Sequence, residues 1–271
     1  MTAKKAQSKP KLKSATRAMK PGKGDLRLLG RVALVTGGSR GIGYAIARAL
    51  AGEGCAVIIT GRDQTTLQKS AARITNSLSR AVSKTKTMRV LAEVCDVRDP
   101  ESVAALFAEV KRRFGRLDVL VNNAGITQPT VTVEETTLDL WRDVIDTNLT
   151  GMFLCTRAAL PMMQAGATIV NNLSAAAKQV FPNYATYSAA KRGALGFTLS
   201  LREELIPRGI RVMALMPGAT ATDMWDQIMP NARRDRMIDV SSVAQAVLYA
   251  VLLPPNANLS ELLLTPTGGA L

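Results

Sequence analysis

The sequence predicts a single doubly wound α/β domain, with a seven-stranded parallel sheet flanked by helices on both faces. Three observations predict it. Short aliphatic runs recur along the chain, separated by stretches with helical spacing, and strict alternation of the two element types implies a parallel sheet between helical layers. The chain is 47% hydrophobic but only 4% aromatic, so its core must be built from Ala, Val, Leu and Ile, which suits helices lying close on such a sheet. No shift in composition divides residues 31–271, and no internal repeat is visible.

The elements follow in order. Val32–Val35 reads as a buried strand that stops at Thr36-Gly37-Gly38, and residues 42–51 read as the helix after it. Residues 56–60 form a second strand, and Asp63 is placed to cap the next helix. Residues 89–94 form a third strand, residues 101–114 have helical spacing after Pro100, and residues 119–121 form a fourth strand. Two long helical stretches, near 138–163 and 184–205, bracket a fifth strand at 168–171; the sixth and seventh are 212–215 and 261–264. In such sheets ligands bind beyond the carboxyl ends of the strands, where the strand order reverses.

The net charge of +14 is uneven: residues 1–30 hold nine Lys and Arg against Asp25 alone, a net +8. Residues 1–28 are therefore expected to be a disordered basic arm and residues 29–271 the folded domain. A solvated arm is the plain reading. Binding of nucleic acid or another polyanion, and organellar targeting, stay open as alternatives. Apolar stretches such as Ala246–Leu253 are too short to span a bilayer, and no secretory h-region is present, so a cytoplasmic protein with no membrane contact is expected. Cys55, Cys95 and Cys155 show no CxxC spacing and read as buried free thiols. The chain contains no histidine. That excludes Ser-His-Asp chemistry and most zinc sites, so no metal is expected and proton transfer falls to Tyr, Lys, Asp, Glu or Cys.

Thr36-Gly37-Gly38-Ser39-Arg40-Gly41-Ile42-Gly43 joins the first strand to the first helix. Glycines at 37, 41 and 43 permit a tight turn and close approach to a pyrophosphate, with the N–H groups of the helix start facing the anion. The Tyr187-x3-Lys191 spacing places both side chains on one helix face. An ammonium beside a phenol favours phenolate, which a group of ordinary pKa ~10 needs to work near neutrality. Tyr184 does not qualify, because its i+4 residue is Ser188.

These motifs resemble the short-chain dehydrogenase/reductase family over about residues 31–265, in particular its NADP-preferring members, the 3-oxoacyl-carrier-protein reductases and related carbonyl reductases. The resemblance implies a Rossmann-type fold and a cofactor turn formed by Gly37, Ser39, Arg40, Gly41, Ile42 and Gly43. The second strand ends in Gly61-Arg62, where an NAD enzyme would carry an acid. Arg62 and Arg40 are instead suited to a 2′-phosphate, so NADP(H) is the expected cofactor. By resemblance, Asp96 contacts the adenine amino group with Val97 beside the ring. Asn122-Asn123-Ala124-Gly125 matches the family's Asn-Asn-Ala-Gly, with Asn123, Ala124 and Gly125 lining the cofactor. Pro217-Gly218 ends the sixth strand, followed by Thr222 in the expected place and by Thr220 where an aliphatic residue is usual.

The same resemblance assigns Ser174 to hold the substrate oxygen, Tyr187 to act as general acid/base, Lys191 to bind the nicotinamide ribose, and Asn148 to hold a water in a proton relay. The implied activity interconverts a small-molecule carbonyl and alcohol by hydride transfer. A 3-oxoacyl-thioester reductase is an alternative within that activity, and a non-catalytic NADP(H)-binding sensor or scaffold lies outside it. Residues 223–240 are expected to form a substrate flap with apolar Met224, Trp225, Ile228 and Met229, followed by Arg233, Arg234 and Arg236. The ending Thr265-Pro266-Thr267-Gly268-Gly269 departs from the reductases' usual Val-Asp/Asn-Gly-Gly. A homodimer or homotetramer packed through the two long helices is expected from relatives.

Overall fold

A computed structural model describes residues 26–78 and 90–269. The strands are β1 (Val32–Val35), β2 (Ala56–Gly61), β3 (Val90–Val94), β4 (Val119–Asn122), β5 (Thr168–Asn172), β6 (Arg211–Pro217) and β7 (Glu261–Leu264). The helices are α1 (Gly41–Gly52), α2 (Gln64–Ser77), α3 (Pro100–Phe114), α4 (Leu138–Ile145), α5 (Gly151–Ala159), α6 (Ala185–Leu205), α7 (Trp225–Ile228) and α8 (Val240–Leu252). The seven strands form one parallel sheet in the order β3-β2-β1-β4-β5-β6-β7. The order runs outward in both directions from β1 and β4, so the switch point lies between them.

Strand residues alternate between two apolar layers, as the period of two requires. Ala33, Val35, Val57, Ile59, Val119, Val121 and Met213 pack toward α1, α2 and α8. Val32, Leu34, Ala56, Ile58, Leu120, Ile169 and Val212 pack toward α3, α5 and α6. Mostly aliphatic side chains thus bury both faces, with Phe107 of α3 as a buried aromatic residue in the second layer. Asp63 caps α2 as expected, accepting the Thr66 N–H at 2.7 Å. Asp99 and Asp239 cap α3 and α8 in the same way.

Three expectations need correction or qualification. The residues at the arm boundary are packed: Leu28 is buried in the core, its N–H donates to Glu53 O at 2.9 Å, and Arg27 pairs with the Glu53 carboxylate. The cationic run conceals this, because Leu26 and Leu28 sit among charged neighbours. Residues 1–25, and Arg89 at the expected start of the third strand, lie outside the described residues. The helical stretch near 138–163 is not one α-helix. It is α4, a π-helical turn over Asp146–Thr150, then α5 and a 3₁₀ turn at Leu160–Met162. The Gly151 N–H donates to Asp146 O, five residues back, and Pro161, lacking an N–H, stands in the closing turn.

Among the described residues no helix is long and apolar enough to cross a membrane, and no His/Cys/Asp/Glu cluster is suited to a metal ion. The three cysteines are free and buried. Burial pushes the Cys55 and Cys95 thiols up and the Cys155 thiol up to about 12, the condition of inert thiols.

Candidate active site

The carboxyl ends of β1, β4 and β5 are joined by a chain of polar contacts. Thr36 Oγ1, at the end of β1, accepts the N–H groups of Asn123 and Ala124, each at 2.9 Å. Asn123 Nδ2 returns to Thr36 O at 2.9 Å and Gly37 O at 3.1 Å. Asn172 Nδ2 donates to Asn123 Oδ1 at 2.8 Å, and Lys191 Nζ donates to Asn172 O at 3.3 Å. One connected set therefore runs from the glycine turn to the lysine on α6. Asn122 lies beneath it, donating to Thr156 Oγ1 and Asn171 Oδ1 at 2.9 and 2.8 Å, which locks α5 to the sheet.

The glycine turn has the shape of a cradle. Gly37 and Gly41 have φ of 62° and 55°, which only glycine adopts readily. A Cβ on Gly37 would stand 2.9 Å from Ala124 Cα, and one on Gly43 would collide with the Asn123 amide and Gly37 O. Arg40, the N-cap of α1, offers no capping side chain, so the first N–H groups of that helix face outward as an anion site requires. Thr222, from the loop after β6, reaches across to within 3.2 Å of the Gly41 Cβ position. These features fit a dinucleotide pyrophosphate. Arg40 and Arg62 are both exposed beside the turn. A Cβ on Gly61 would meet only Leu67 at ordinary contact distance, 3.6 Å, so an acid there is absent by sequence and not by steric exclusion.

The other residues expected at the cofactor fall on the same rim. Asp96 lies at the end of β3, where Arg98 grips its carboxylate through Nε and Nη2 and holds it below the usual carboxylate range. Arg98 also reaches Asp143 of α4 at 2.9 Å. This bridge between the end of β3 and α4 has no sequence signature. Val97 is buried against Gly151. Ser39 O accepts from Ser70 Oγ at 2.7 Å, which ties the turn to α2. Gly218 and Thr220 lie in the loop after β6; Thr220 is buried with its hydroxyl donated to Gly218 O, leaving only backbone for a ligand.

Tyr187 and Lys191 stand one turn apart on α6, with Lys191 Nζ 5.5 Å from the Tyr187 ring centroid. Lys191 is buried at 4% exposure. The expected acidification of the phenol by this ammonium is not what the structure gives. Burial pushes the Tyr187 phenol up to about 12, opposed by the nearby Ser174 hydroxyl, and burial pushes the Lys191 ammonium down to about 8. Both charged forms lose hydration there, and the neighbouring Tyr184 adds to the rise of the phenol. Ser174 Oγ accepts the Ala176 N–H at 3.2 Å, so its own proton remains available to an oxygen in the cleft.

Asn148 sits in the π-helical turn. Its Nδ2 donates to Ile126 O and to Val144 O, both at 2.9 Å. Val144 O is the carbonyl that an uninterrupted α-helix would pair with Asn148's own N–H. Asn148 Oδ1 is buried without a partner and, like Lys191 Nζ, lies beside Gly125: a Cβ there would be 2.7 Å from the former and 3.6 Å from the latter. The flap expectation holds in part. Trp225 Nε1 donates to Thr220 O at 2.9 Å. Arg233 and Arg234, however, pair with Asp235 and Asp226 within the flap itself, leaving Arg236 as the exposed one of the three outside an ion pair among the described residues.

Comparison with known proteins agrees with this geometry. The family described as short chain dehydrogenase matches residues 31–233. A 3-oxoacyl-[acyl-carrier-protein] reductase of Synechocystis is 41% identical over 204 residues, covering 74% of this chain and 78% of that enzyme. A 3beta-hydroxysteroid dehydrogenase of Mediterraneibacter gnavus is 36% identical, covering 78% and 74%. The crystal structure of a short chain dehydrogenase from Burkholderia cenocepacia in complex with NADP superposes with a TM-score of 0.77 at 32% identity, covering 88% of this chain and 98% of that one. The chain belongs to the short-chain dehydrogenase family and is an oxidoreductase of the Rossmann fold.

Proposed function

We propose that this protein is an NADP(H)-dependent oxidoreductase that interconverts a carbonyl and an alcohol, with Tyr187 as general acid/base. The observation that carries the reading is the buried Lys191, anchored on Asn172 O one turn below Tyr187, at the end of a polar chain that begins on the glycine turn. A buried lysine with a single backbone acceptor is costly unless its remaining donors have work to do.

Gly37, Gly41, Ile42 and Gly43 would hold the pyrophosphate, Arg40 and Arg62 the 2′-phosphate, and Asp96, Asn123 and Thr222 would flank the rest. Held there, a nicotinamide cofactor would provide hydride donor or acceptor chemistry. In the reducing direction Ser174 donates a hydrogen bond to the substrate carbonyl and so fixes it toward Tyr187. Tyr187 is protonated through the neutral range, as a phenol of ordinary or raised pKa must be, and it passes that proton to the oxygen as charge develops there. Lys191 steadies the phenolate left behind. Asn148, with Oδ1 turned toward the Lys191 side of Gly125, is placed to hold a water through which the proton is replaced.

Apolar side chains favour a hydrophobic substrate. Val133, Val180, Phe181, Met224 and Met229 are exposed on the loops that follow β4, β5 and β6, three adjacent strands whose ends border the cleft. A 3-oxoacyl thioester is a compound of that kind, and the 41% identity to a 3-oxoacyl-[acyl-carrier-protein] reductase supports it as the first class to test. Leu138, Trp141 and Phe153 are exposed on α4 and α5. Along α6, Ala190 and Ala194 face the core while Ala189 and Gly193 face outward. We read this outer surface as the contact between copies of the chain.

The test is Tyr187→Phe, assayed by loss of NADPH absorbance against a panel of ketones, aldehydes and 3-oxoacyl thioesters. Turnover should fall by about 10³-fold with NADPH affinity unchanged. Near-normal turnover would refute the assignment, and NADPH binding without turnover by the unmodified protein would favour a sensor.

A further inference from the structure

No motif in the sequence singles out Gln128, yet it is the one buried polar side chain in the loop from Asn123 to Thr137, at 1% exposure. Its Oε1 accepts the Tyr187 N–H at 2.7 Å, and its Nε2 donates to Asn183 O at 3.1 Å. The first N–H groups of a helix have no partner within it and ordinarily rely on a capping side chain just before the helix. Helix α6 begins at Ala185, and its N-cap residue, Tyr184, supplies no such side chain. Tyr187 occupies the third helical position, whose N–H a cap normally takes. Gln128 therefore does from 59 residues away what the local sequence does not.

The turn before α6 needs holding. Asn183 has φ 62°, the only positive value at a non-glycine residue among the described residues, and its carbonyl is gripped by both Gln128 Nε2 and the Val131 N–H. The gripping loop is the one that carries the cofactor shelf at Asn123–Gly125 and offers Ile126 O to Asn148. Shelf, relay asparagine and phenol are thus fixed to a single stretch of six residues.

We propose that Gln128 is a positioning residue that fixes the first turn of α6, and with it the Tyr187 phenol, against the loop that lines the cofactor. The inference rests on Tyr187 being the proton donor. Misplacing a reacting group by about 1 Å costs on the order of 100-fold in rate, so Gln128→Leu should lower kcat by about 10- to 100-fold. NADPH affinity, substrate KM and the circular-dichroism spectrum should be unchanged. Gln128→Glu keeps an acceptor for the Tyr187 N–H but loses the donor to Asn183 O, so it should recover part of the kcat lost in Gln128→Leu. A purely structural role would not produce that rescue.

The experiment compares full-length wild type, Gln128→Leu, Gln128→Glu and Tyr187→Phe on one substrate. Wild-type kcat in Gln128→Leu, equal losses in the Leu and Glu variants, or a loss of NADPH affinity in step with kcat would each overturn the proposal. If Gln128→Leu does not fold, Gln128→Met, of similar length but without the amide, carries the same expectation. Failure of both to fold would also overturn it, because the side chain would then hold the fold and not the phenol. An active Tyr187→Phe would remove the underlying reading, whereas an inactive Tyr187→Phe beside a fully active Gln128→Leu would remove this inference alone.

Discussion

The two ends of the sheet treat buried charge in opposite ways. At the amino end, Arg211 is 8% exposed and donates to four carbonyls, those of Ala250, Val251, Leu253 and Ala257, closing the end of α8. At the same end, across β5, Asp118 accepts from the Val32 N–H at 2.9 Å and from Arg116 Nε at 3.0 Å. At the carboxyl end, Lys191 is buried as deeply but meets one carbonyl, and Asn148 Oδ1 and Asn172 Oδ1 are buried without partners. Similar burial therefore means different things. The contrast is one of degree: at the amino end Arg211 Nε and Thr168 Oγ1 are also buried without partners, but the Arg211 Nη groups are committed to four carbonyls, whereas at the carboxyl end the lysine meets one carbonyl and keeps donors in reserve for what enters the cleft.

A pair of substitutions tests that contrast most severely. Lys191→Met should lower kcat/KM by about 10²- to 10⁴-fold while leaving thermal stability equal or higher, since it removes a poorly compensated buried ammonium. Arg211→Met should do the reverse. It strands four carbonyls and should cost about 2–4 kcal/mol of stability, with kcat and KM of the folded protein unchanged. Denaturation and kinetics on both variants decide the matter, and a shared loss of activity and stability in either would erase the distinction.

The pH dependence of stability sharpens it further. Burial lowers the Lys191 ammonium from 10.5 to about 8, so between those values the unfolded chain holds a proton that the folded chain has released. Stability contributed by this site therefore rises with pH across that window, by roughly 3 kcal/mol in all. The buried thiols and Tyr187, raised by burial, act in the opposite sense above about pH 9. The difference between wild type and Lys191→Met cancels them. Chemical denaturation of both proteins from pH 7.5 to 10.5 should show wild type gaining on the variant; a constant difference would mean that Lys191 is not a strained charge.

The smallest effect concerns cofactor choice. Gly61→Asp places a carboxylate where the geometry allows a side chain, beside Arg62. The ratio of kcat/KM for NADH over NADPH should rise about tenfold, or 1.4 kcal/mol. No change in that ratio would mean that the end of β2 does not read the ribose.

Much of this was legible in the sequence because aliphatic strands and glycine turns are local signals. Val32–Val35 and the Thr36–Gly43 turn were read within a residue or two of where they lie. Arg211 was not assigned to its strand, because a charged residue at a strand end looks like loop until the helix it caps is known. The break at Asp146–Thr150 escaped because apolar spacing continues through it, although Asn is a poor helix former and Asn148 lies within it. Gln128 left no trace at all, since its partners are more than fifty residues away. Proton affinities were misjudged for a related reason: the Tyr-x3-Lys spacing shows proximity but not the loss of water around both groups.

The wide turn at Asp146–Thr150 also sets the phase of the chain on either side of it. Each residue of an α-helix advances by about 100°, so the extra residue accommodated there offsets α5 from α4 by roughly that angle. Leu154, Cys155 and Ala159 are thereby aimed at the sheet, while Asn148 is aimed at the cleft. Without the offset, a helix continuing straight from Trp141 could satisfy only one of those two directions. The irregularity acts as a gear between structure and chemistry, and its length is as constrained as the identity of any side chain it carries.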